Sequence, residues 1–248
     1  MFLRSNLAAH GLRGTYPHAT RFWTDGTAVL GLTRAGFALP FAPDGWDVNR
    51  AAHAMSGMDL NGIIGPAAVA RPLLAACGLS QAPMQRNDDA PQMGLSLDAL
   101  VTPDGPGKLV PLDAHAGQAA LWRLAANREA EAGAQDIEGA RAEVARWIAQ
   151  DRGRLLIDGD TPLALTGLNA ALPDIVQVGG VYVPPARRGA RLAGRAVALD
   201  LDRRRALGVT RATLFADSVQ ALRSYARLGF VRTGTVALIL FDGPQRAV

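Results

Sequence analysis

The chain has 248 residues, 49% hydrophobic and 19% charged, with a formal charge of +4. That length holds one large domain or two small ones, and either buries an adequate core. A single cysteine, Cys77, excludes an internal disulfide and a thiolate metal cluster, and no apolar run approaches the ~20 residues of a membrane-spanning helix. Nearly all the positive charge is arginine, Lys108 being the only lysine. The arginines are dispersed and carry no interleaved aromatics, which argues against a nucleic-acid surface. Their one tight cluster, Arg203-Arg204-Arg205, ends a predicted helix, where cations suit the dipole. His10, His18, His53 and His115 fall at no metal-ligand spacing, so no metal is expected. Cys77 lies in an apolar stretch and reads as a small buried hydrophobe. Residues 1–9 lack the basic start and apolar run of a signal peptide, so the expected location is the cytoplasm, without membrane attachment.

In chain order, the first hundred residues read as α/β with little chemistry. Phe2 to Leu12 suits a short helix, and Thr27 to Leu32 and Phe37 to Phe41 suit strands. Gly62-Ile63-Ile64-Gly65-Pro66 leads from a buried strand into a helix that has Pro66 in its first turn and stops at Gly78. Met93 to Val101 alternates weakly, as a strand does. Thr102-Pro103-Asp104-Gly105-Pro106-Gly107 is the densest turn cluster, and it suggests a division into residues 1–105 and 106–248. Beyond it, Leu109 to Leu112 reads as a strand. Ala114 to Glu131 reads as a helix with Leu121, Trp122 and Leu124 on its apolar side, and Glu138 to Ala149 as a second helix. Gly153 to Ile157 and Pro162 to Leu168 flank the hairpin turn Asp158-Gly159-Asp160-Thr161. Strand Ile175 to Val183, helix Arg188 to Leu207, strand Thr210 to Phe215, helix Ser218 to Leu228 and strand Val231 to Phe241 complete the order β-α-α-β-β-β-α-β-α-β.

Two segments carry chemistry. In the first, the strand Val181-Tyr182-Val183 runs into Pro184-Pro185, then the basic turn Arg187-Arg188-Gly189-Ala190-Arg191, then a helix opening with Leu192-Ala193-Gly194. Backbone N–H groups, the positive end of a helix and arginine charge are what holds a pyrophosphate. An NTPase loop is excluded, because Arg195-Ala196 stands where Lys-Ser/Thr would be. A dinucleotide fingerprint is absent as well. Alone, this segment is equally a plain strand-to-helix connection with surface arginines. In the second, Ser218-Val219-Gln220-Ala221-Leu222-Arg223-Ser224-Tyr225-Ala226-Arg227-Leu228-Gly229-Phe230 forms a helix capped by Asp217 or Ser218, with an apolar stripe and a glycine stop.

Together the two segments resemble the acyl-CoA signature of the GNAT superfamily of N-acetyltransferases. Arg188-Gly189-Ala190-Arg191-Leu192-Ala193 resembles that family's Arg/Gln-x-x-Gly-x-Gly/Ala turn, with Arg191 in place of the usual glycine. Ser218 to Phe230 resembles its Asn-x-x-Ala-x-x-x-Tyr-x-x-x-Gly-Phe pattern, with Ser218 in place of asparagine while Ala221, Tyr225, Gly229 and Phe230 fit. The resemblance runs from about residue 143 to 241 and is faint before 105. It implies a mixed α/β sheet fold. It also implies acetyl-CoA as cosubstrate and transfer of its acetyl group to a small-molecule or peptide amine. Val181, Tyr182 and Val183 would border the pantetheine arm, and 188–194 would hold the pyrophosphate. A backbone N–H near Val181 would face the oxyanion, and the Tyr225 hydroxyl would protonate the leaving thiolate. Some members carry a glutamate base four residues before Val181, where this chain has Gln177. Gln177 and Asn169 are candidates for orienting the acceptor, with Asp174 nearby.

The first 105 residues resemble a degenerate copy of the same fold, as in tandem GNAT proteins, or form an unrelated cap. They carry no basic glycine turn, so no CoA site is expected there. A non-catalytic acyl-CoA-binding or sensing protein is the alternative reading, and Gln177 and Ser218 are the residues that favour it.

Overall fold

Helix α1 (Phe2–His10) opens the chain in a computed structural model that describes residues 1–130, 135–216 and 218–248. After it come β1 (Thr20–Thr24), β2 (Val29–Thr33), β3 (Phe37–Phe41), α2 (Val48–Met55), β4 (Asp59–Pro66), α3 (Ala67–Ala76) and β5 (Met84–Ser96). The second half runs β6 (Lys108–Pro111), α4 (Ala116–Glu129), α5 (Ile137–Ala149), β7 (Gly153–Asp158), β8 (Thr161–Ala171) and β9 (Ile175–Tyr182). It continues with α6 (Leu192–Ala206), β10 (Arg211–Phe215), α7 (Val219–Ala226) and β11 (Val231–Arg246). From β6 onward this is the order read from the sequence. The end of the helix expected to reach Glu131, and Asp217 as a cap, lie outside the described residues.

The chain forms two compact units, Met1–Gln92 with Thr233–Val248, and Met93–Arg232. The division therefore does not fall at the 102–107 turn cluster. Arg195 supplies the physical reason. Its guanidinium donates to the carbonyls of Pro103 (2.7 Å), Pro106 (2.9 Å) and Gly107 (3.2 Å), which fixes that cluster within the second unit. Glycine and proline mark a turn there, but turns occur inside domains as well as between them.

In the first unit the strands lie in the order β1-β2-β3-β4-β11. The pairs β1/β2, β2/β3 and β4/β11 are antiparallel, and β3/β4 is parallel. Met55, Leu60, Ile63, Leu73, Cys77 and Ile239 fill its core. The sequence analysis missed β1 and α2, although both carry signals. Asp25 accepts from the N–H groups of Thr27 (3.0 Å) and Ala28 (2.8 Å), turning β1 into β2 as an Asp-Gly turn does. Asp47 caps α2 by accepting from the N–H groups of Asn49 and Arg50. Pro66 stands at the N-cap position just before α3, not in its first turn, and Gly78 ends the turn after it at φ +72°.

In the second unit the order is β10-β9-β8-β7-β6, with β9/β10 parallel and the remaining pairs antiparallel. Gly159 adopts φ +55° in the β7/β8 hairpin, as a two-residue turn requires. Leu155 and Leu165 pack with Val144 and Trp147 of α5 beside α4, and Val178 and Leu214 form a second cluster with Val197 and Leu201 of α6. Leu121, expected on the apolar side of α4, is 57% exposed, whereas Trp122 packs against the core. Small Ala119 and Ala120 take the fully buried positions on α4 instead. Such residues let the helix approach closely, so hydrophobicity alone misjudged its inward face.

Candidate acyl-CoA site

The candidate site lies where β9 parts from β10. The parallel register runs Arg211–Ile175, Ala212–Val176 and Thr213–Gln177, and ends there. Strand β9 continues to Tyr182, paired with β8 as far as Leu165, and β10 continues to Phe215. From Val178 to Tyr182 the edge of β9 that faces β10 thus has no strand partner among the described residues. Gln177 stands at the last paired position. It is 1% exposed, and its Oε1 has no hydrogen-bond partner among the described residues. Buried amide oxygens normally have one.

Glycines shape this stretch of β9. Gly180 adopts φ +65°, and a Cβ there would stand 2.3 Å from the Trp147 indole. A Cβ on Gly167 of β8 would stand 2.4 Å from the same ring. A Cβ on Gly179 would fall 2.2 Å from the Asn169 side-chain amide. The pairing of β9 with β8 shifts register at both places, between Leu165 and Gly167 and between Leu168 and Ala170. An indole and an amide are therefore packed flat on the strand, and the bulge at Gly180 re-aims the backbone groups around Val181. The Arg123 guanidinium lies over the Trp147 ring, 5.2 Å from its centre, and is paired with Glu143 at 2.6 Å. Both members of that pair are mostly buried, and Asn127 also donates to the Glu143 carboxylate.

After β9 the chain makes a short helical turn at Pro185–Arg187 and enters α6 at Leu192, four residues later than the sequence suggests. The reason is Arg191, which adopts the left-handed conformation, φ +58° and ψ 15°, and so stops the helix from extending backwards. This is the position where the family pattern has glycine. Gly189 is left-handed too, at φ +85°, and open space surrounds the place a Cβ would take. Among the described residues no side chain caps α6. Its first intrahelical bond runs from the Arg195 N–H to the Arg191 carbonyl, so the N–H groups of Leu192, Ala193 and Gly194 have no intrahelical acceptor. The sequence therefore builds an uncapped, positively polarised helix end behind an exposed turn.

The two arginines expected to hold charge here differ. Arg188 donates to both oxygens of Glu129, at 2.8 and 2.7 Å, and its Nε donates to the Val183 carbonyl. It also lies 5.7 Å from the centre of the Tyr182 ring. Burial, and then the Glu129 carboxylate beside it, push the Tyr182 hydroxyl above its ordinary pKa. Tyr182 thus packs beneath the turn with its side chain buried. Arg191 forms no ion pair among the described residues.

The second motif is brought alongside the first. A Cβ on Gly194 would stand 3.5 Å from Leu228 and 3.7 Å from the Ser224 hydroxyl, so the first turn of α6 packs on α7. Tyr225, next to Ser224, is half-buried with its ring 5.8 Å from that of Phe230, edge on. Ser218 is the cap of α7, its hydroxyl accepting the Ala221 N–H at 3.1 Å. Asn169 and Gln177 sit on β8 and β9, and Asp174 is paired with Arg211 at 2.6 Å. Sequence reasoning missed Trp147, Arg123 and Glu143. Their signal was only a helical apolar face, and their place against Gly180 depends on packing.

The first unit has the same succession of parallel strands and a helix, β3-α2-β4, and there too the parallel register ends early, at Ala38–Ile63. A Cβ on Gly65 of β4 would fall 2.8 Å from the Pro40 carbonyl oxygen of β3, so the two backbones still approach closely beyond that pairing. The N-terminus of α2 is closed by the carboxylate of Asp47.

No protein-family model and no curated protein matches the sequence. Solved structures do match. A GCN5-related N-acetyltransferase from Kribbella flavida is 17% identical with a TM-score of 0.58, covering 97% of this chain and 93% of its own. A GNAT-family acetyltransferase from Colwellia psychrerythraea is 12% identical with a TM-score of 0.58, over 89% of this chain and 84% of its own. A tandem GNAT protein from the clavulanic acid biosynthesis pathway is 17% identical with a TM-score of 0.55, over 92% of this chain and 84% of its own. With the strand parting, the uncapped helix and these neighbours together, the chain has the fold of the GNAT superfamily.

Proposed function

We propose that the protein is an acetyl-CoA-dependent N-acyltransferase that acts on a small-molecule or peptide amine through its second unit. The observation that carries this reading is the parting of β9 from β10 directly before the uncapped end of α6. The pantetheine arm is peptide-like, and the edge of β9 at Val181, without a strand partner among the described residues, suits it, while the Val183 carbonyl just beyond already accepts from Arg188 Nε. The pyrophosphate would lie on the N–H groups from Gly189 to Gly194, where no side chain among the described residues caps α6. Arg191 supplies charge, while Arg188 braces the turn through Glu129 and reaches the phosphates only by leaving that partner. The first unit is read as a diverged copy without a CoA site, because Asp47 already occupies the helix end that a phosphate would need.

In the reaction the amine nitrogen attacks the acetyl carbon, the C–N bond forms and the C–S bond breaks. The amine loses a proton and the departing thiolate gains one. The proposed donor to the developing oxyanion is a backbone N–H near Val181, next to the bulge at Gly180. The Tyr225 hydroxyl is the donor to the thiolate. Gln177 cannot take a proton and Asp174 is paired with Arg211, so the amine's proton passes to water. The same two facts favour a second reading, in which the domain binds acyl-CoA and does not turn it over.

Steady-state thiol release from acetyl-CoA across an amine panel, with calorimetry of CoA binding, separates these readings. Turnover supports the first, and binding without turnover the second. Tyr225→Phe keeps the ring against Phe230 and removes only the hydroxyl. It is expected to lower turnover by roughly ten- to a thousand-fold with CoA affinity unchanged, the range of one proton-transfer group. Unchanged turnover in a well-folded Phe variant assigns Tyr225 to packing.

A further inference from the structure

The first unit contains a cavity of about 650 Å³ that the acyl-CoA reading leaves unused. Its size falls within the roughly 300–1,000 Å³ of small-molecule sites. It opens beside β1, the edge strand, under the segment that joins α1 to β1. That segment is anchored. The Arg34 N–H donates to the Ala19 carbonyl at 2.9 Å, the Ala35 N–H to the Pro17 carbonyl at 2.8 Å, and the Arg34 Nε to the Gly14 carbonyl at 3.0 Å. Gly14 itself is closely packed, since a Cβ there would stand 2.6 Å from the His10 carbonyl oxygen. The wall is therefore held by hydrogen bonds and not by side-chain contact alone.

The lining is sharply divided in chemistry. Phe22, Leu32 and Met58 give it an apolar floor, and Arg13, Arg21 and Arg34 give it three cations. Among the described residues no carboxylate lines it. Several acids of the same unit are engaged elsewhere: Asp59 with Arg246, Asp89 with Arg71, Asp88 with Arg86, and Asp25 and Asp47 with backbone N–H groups. Arg13 and Arg21 form no ion pair among the described residues, and Arg21 rests on the Trp23 ring at 5.7 Å. Like charges brought to one concavity repel each other, and an anion would relieve that repulsion. We infer that this cavity binds a small organic anion, an apolar body ending in a carboxylate or a phosphate, at a site separate from the acyl-CoA site. The apolar floor takes the body, and Arg13, Arg21 and Arg34 take the anionic end as guanidinium groups take carboxylates and phosphates.

The test uses the full chain and three probes, octanoate, octan-1-ol and inorganic phosphate, followed by calorimetry and by tryptophan fluorescence. Octanoate is expected to bind once per chain, more tightly than either octanol or phosphate, and to perturb emission from Trp23. Arg13→Ala and Arg21→Ala are each expected to weaken octanoate by about tenfold, as for one charge-assisted contact, without lowering the melting temperature. Arg141→Ala, in the second unit, is expected to leave it unchanged. Saturating CoA should not displace octanoate. Octanol binding as well as octanoate, equal affinity in the two arginine variants and the unaltered chain, phosphate matching octanoate, or displacement by CoA would each overturn the inference.

Discussion

Arg191 holds the left-handed conformation that the family pattern assigns to glycine, so the backbone demand persists although the residue has changed. A non-glycine residue there costs about 1–2 kcal/mol, while glycine loses roughly 0.5–1 kcal/mol more chain entropy on folding. The strain outweighs the entropy. Arg191→Gly is therefore expected to stabilise the fold by up to about 1 kcal/mol, seen as a small rise in Tm, and at the same time to weaken CoA binding in calorimetry. A variant that loses stability would place the constraint elsewhere in the turn. Cys77 makes a second point at this scale. Burial raises its thiol from the ordinary 9.0 to about 11. Between those values the unfolded chain releases the proton and the folded chain keeps it. Stability is thus full below about pH 9 and falls as pH rises to about 11, by at most about 2–3 kcal/mol. Denaturant titrations at pH 8 and pH 10.5 should show the fall, and Cys77→Ala should remove that part of it.

At the scale of elements, β9 is held open by what presses on it. Trp147 of α5 lies against Gly167 and Gly180, and Arg123 of α4 lies over the same indole. A larger residue at either glycine would push the helix off the strand. Gly180→Ala meets both the ring at 2.3 Å and an unfavourable φ of +65°. Its expected cost is roughly 2–4 kcal/mol, and turnover should fall even in the folded fraction, because the bulge directs the backbone around Val181. Thermal melting together with turnover per folded molecule checks this. Full activity with normal stability would mean that the bulge is dispensable.

At the scale of the whole molecule, the C-terminal strand belongs to the first unit. β11 pairs with β4 from Val236 opposite Pro66 to Arg246 opposite Asp59, and Ile239 and Phe241 lie in that unit's core. Met93, Leu95 and Leu97, in turn, lie in the core of the second. A chain beginning at residue 105 would leave β11 without β4 and remove three core residues of the second unit. Burying each such side chain contributes about 1.5–3 kcal/mol, which is a large share of a domain's stability. That truncation is expected to aggregate, as an exposed edge strand does. A soluble, CoA-binding product in size-exclusion chromatography and calorimetry would show that the second unit folds alone.

Local chemistry was legible in the sequence. The order of elements after residue 105, the basic glycine turn and the helix before Gly229-Phe230 all follow from periodicity, capping and turn residues, which act over a few positions. The left-handed Arg191 was not legible, because no residue type demands it. The division of the chain was misplaced for a related reason: a Pro-Gly cluster signals a turn, while Arg195, far along the chain, decides that the turn stays within its unit. Arg188's pairing with Glu129, Trp147's place against Gly180 and the cavity lined by Arg13, Arg21 and Arg34 join residues far apart along the chain or on different elements. The sequence by itself determined most of the strands and helices and the basic glycine turn before α6. Only the tertiary structure decided which arginine that turn leaves unpaired and where β9 parts from its neighbour, because both depend on packing between distant residues.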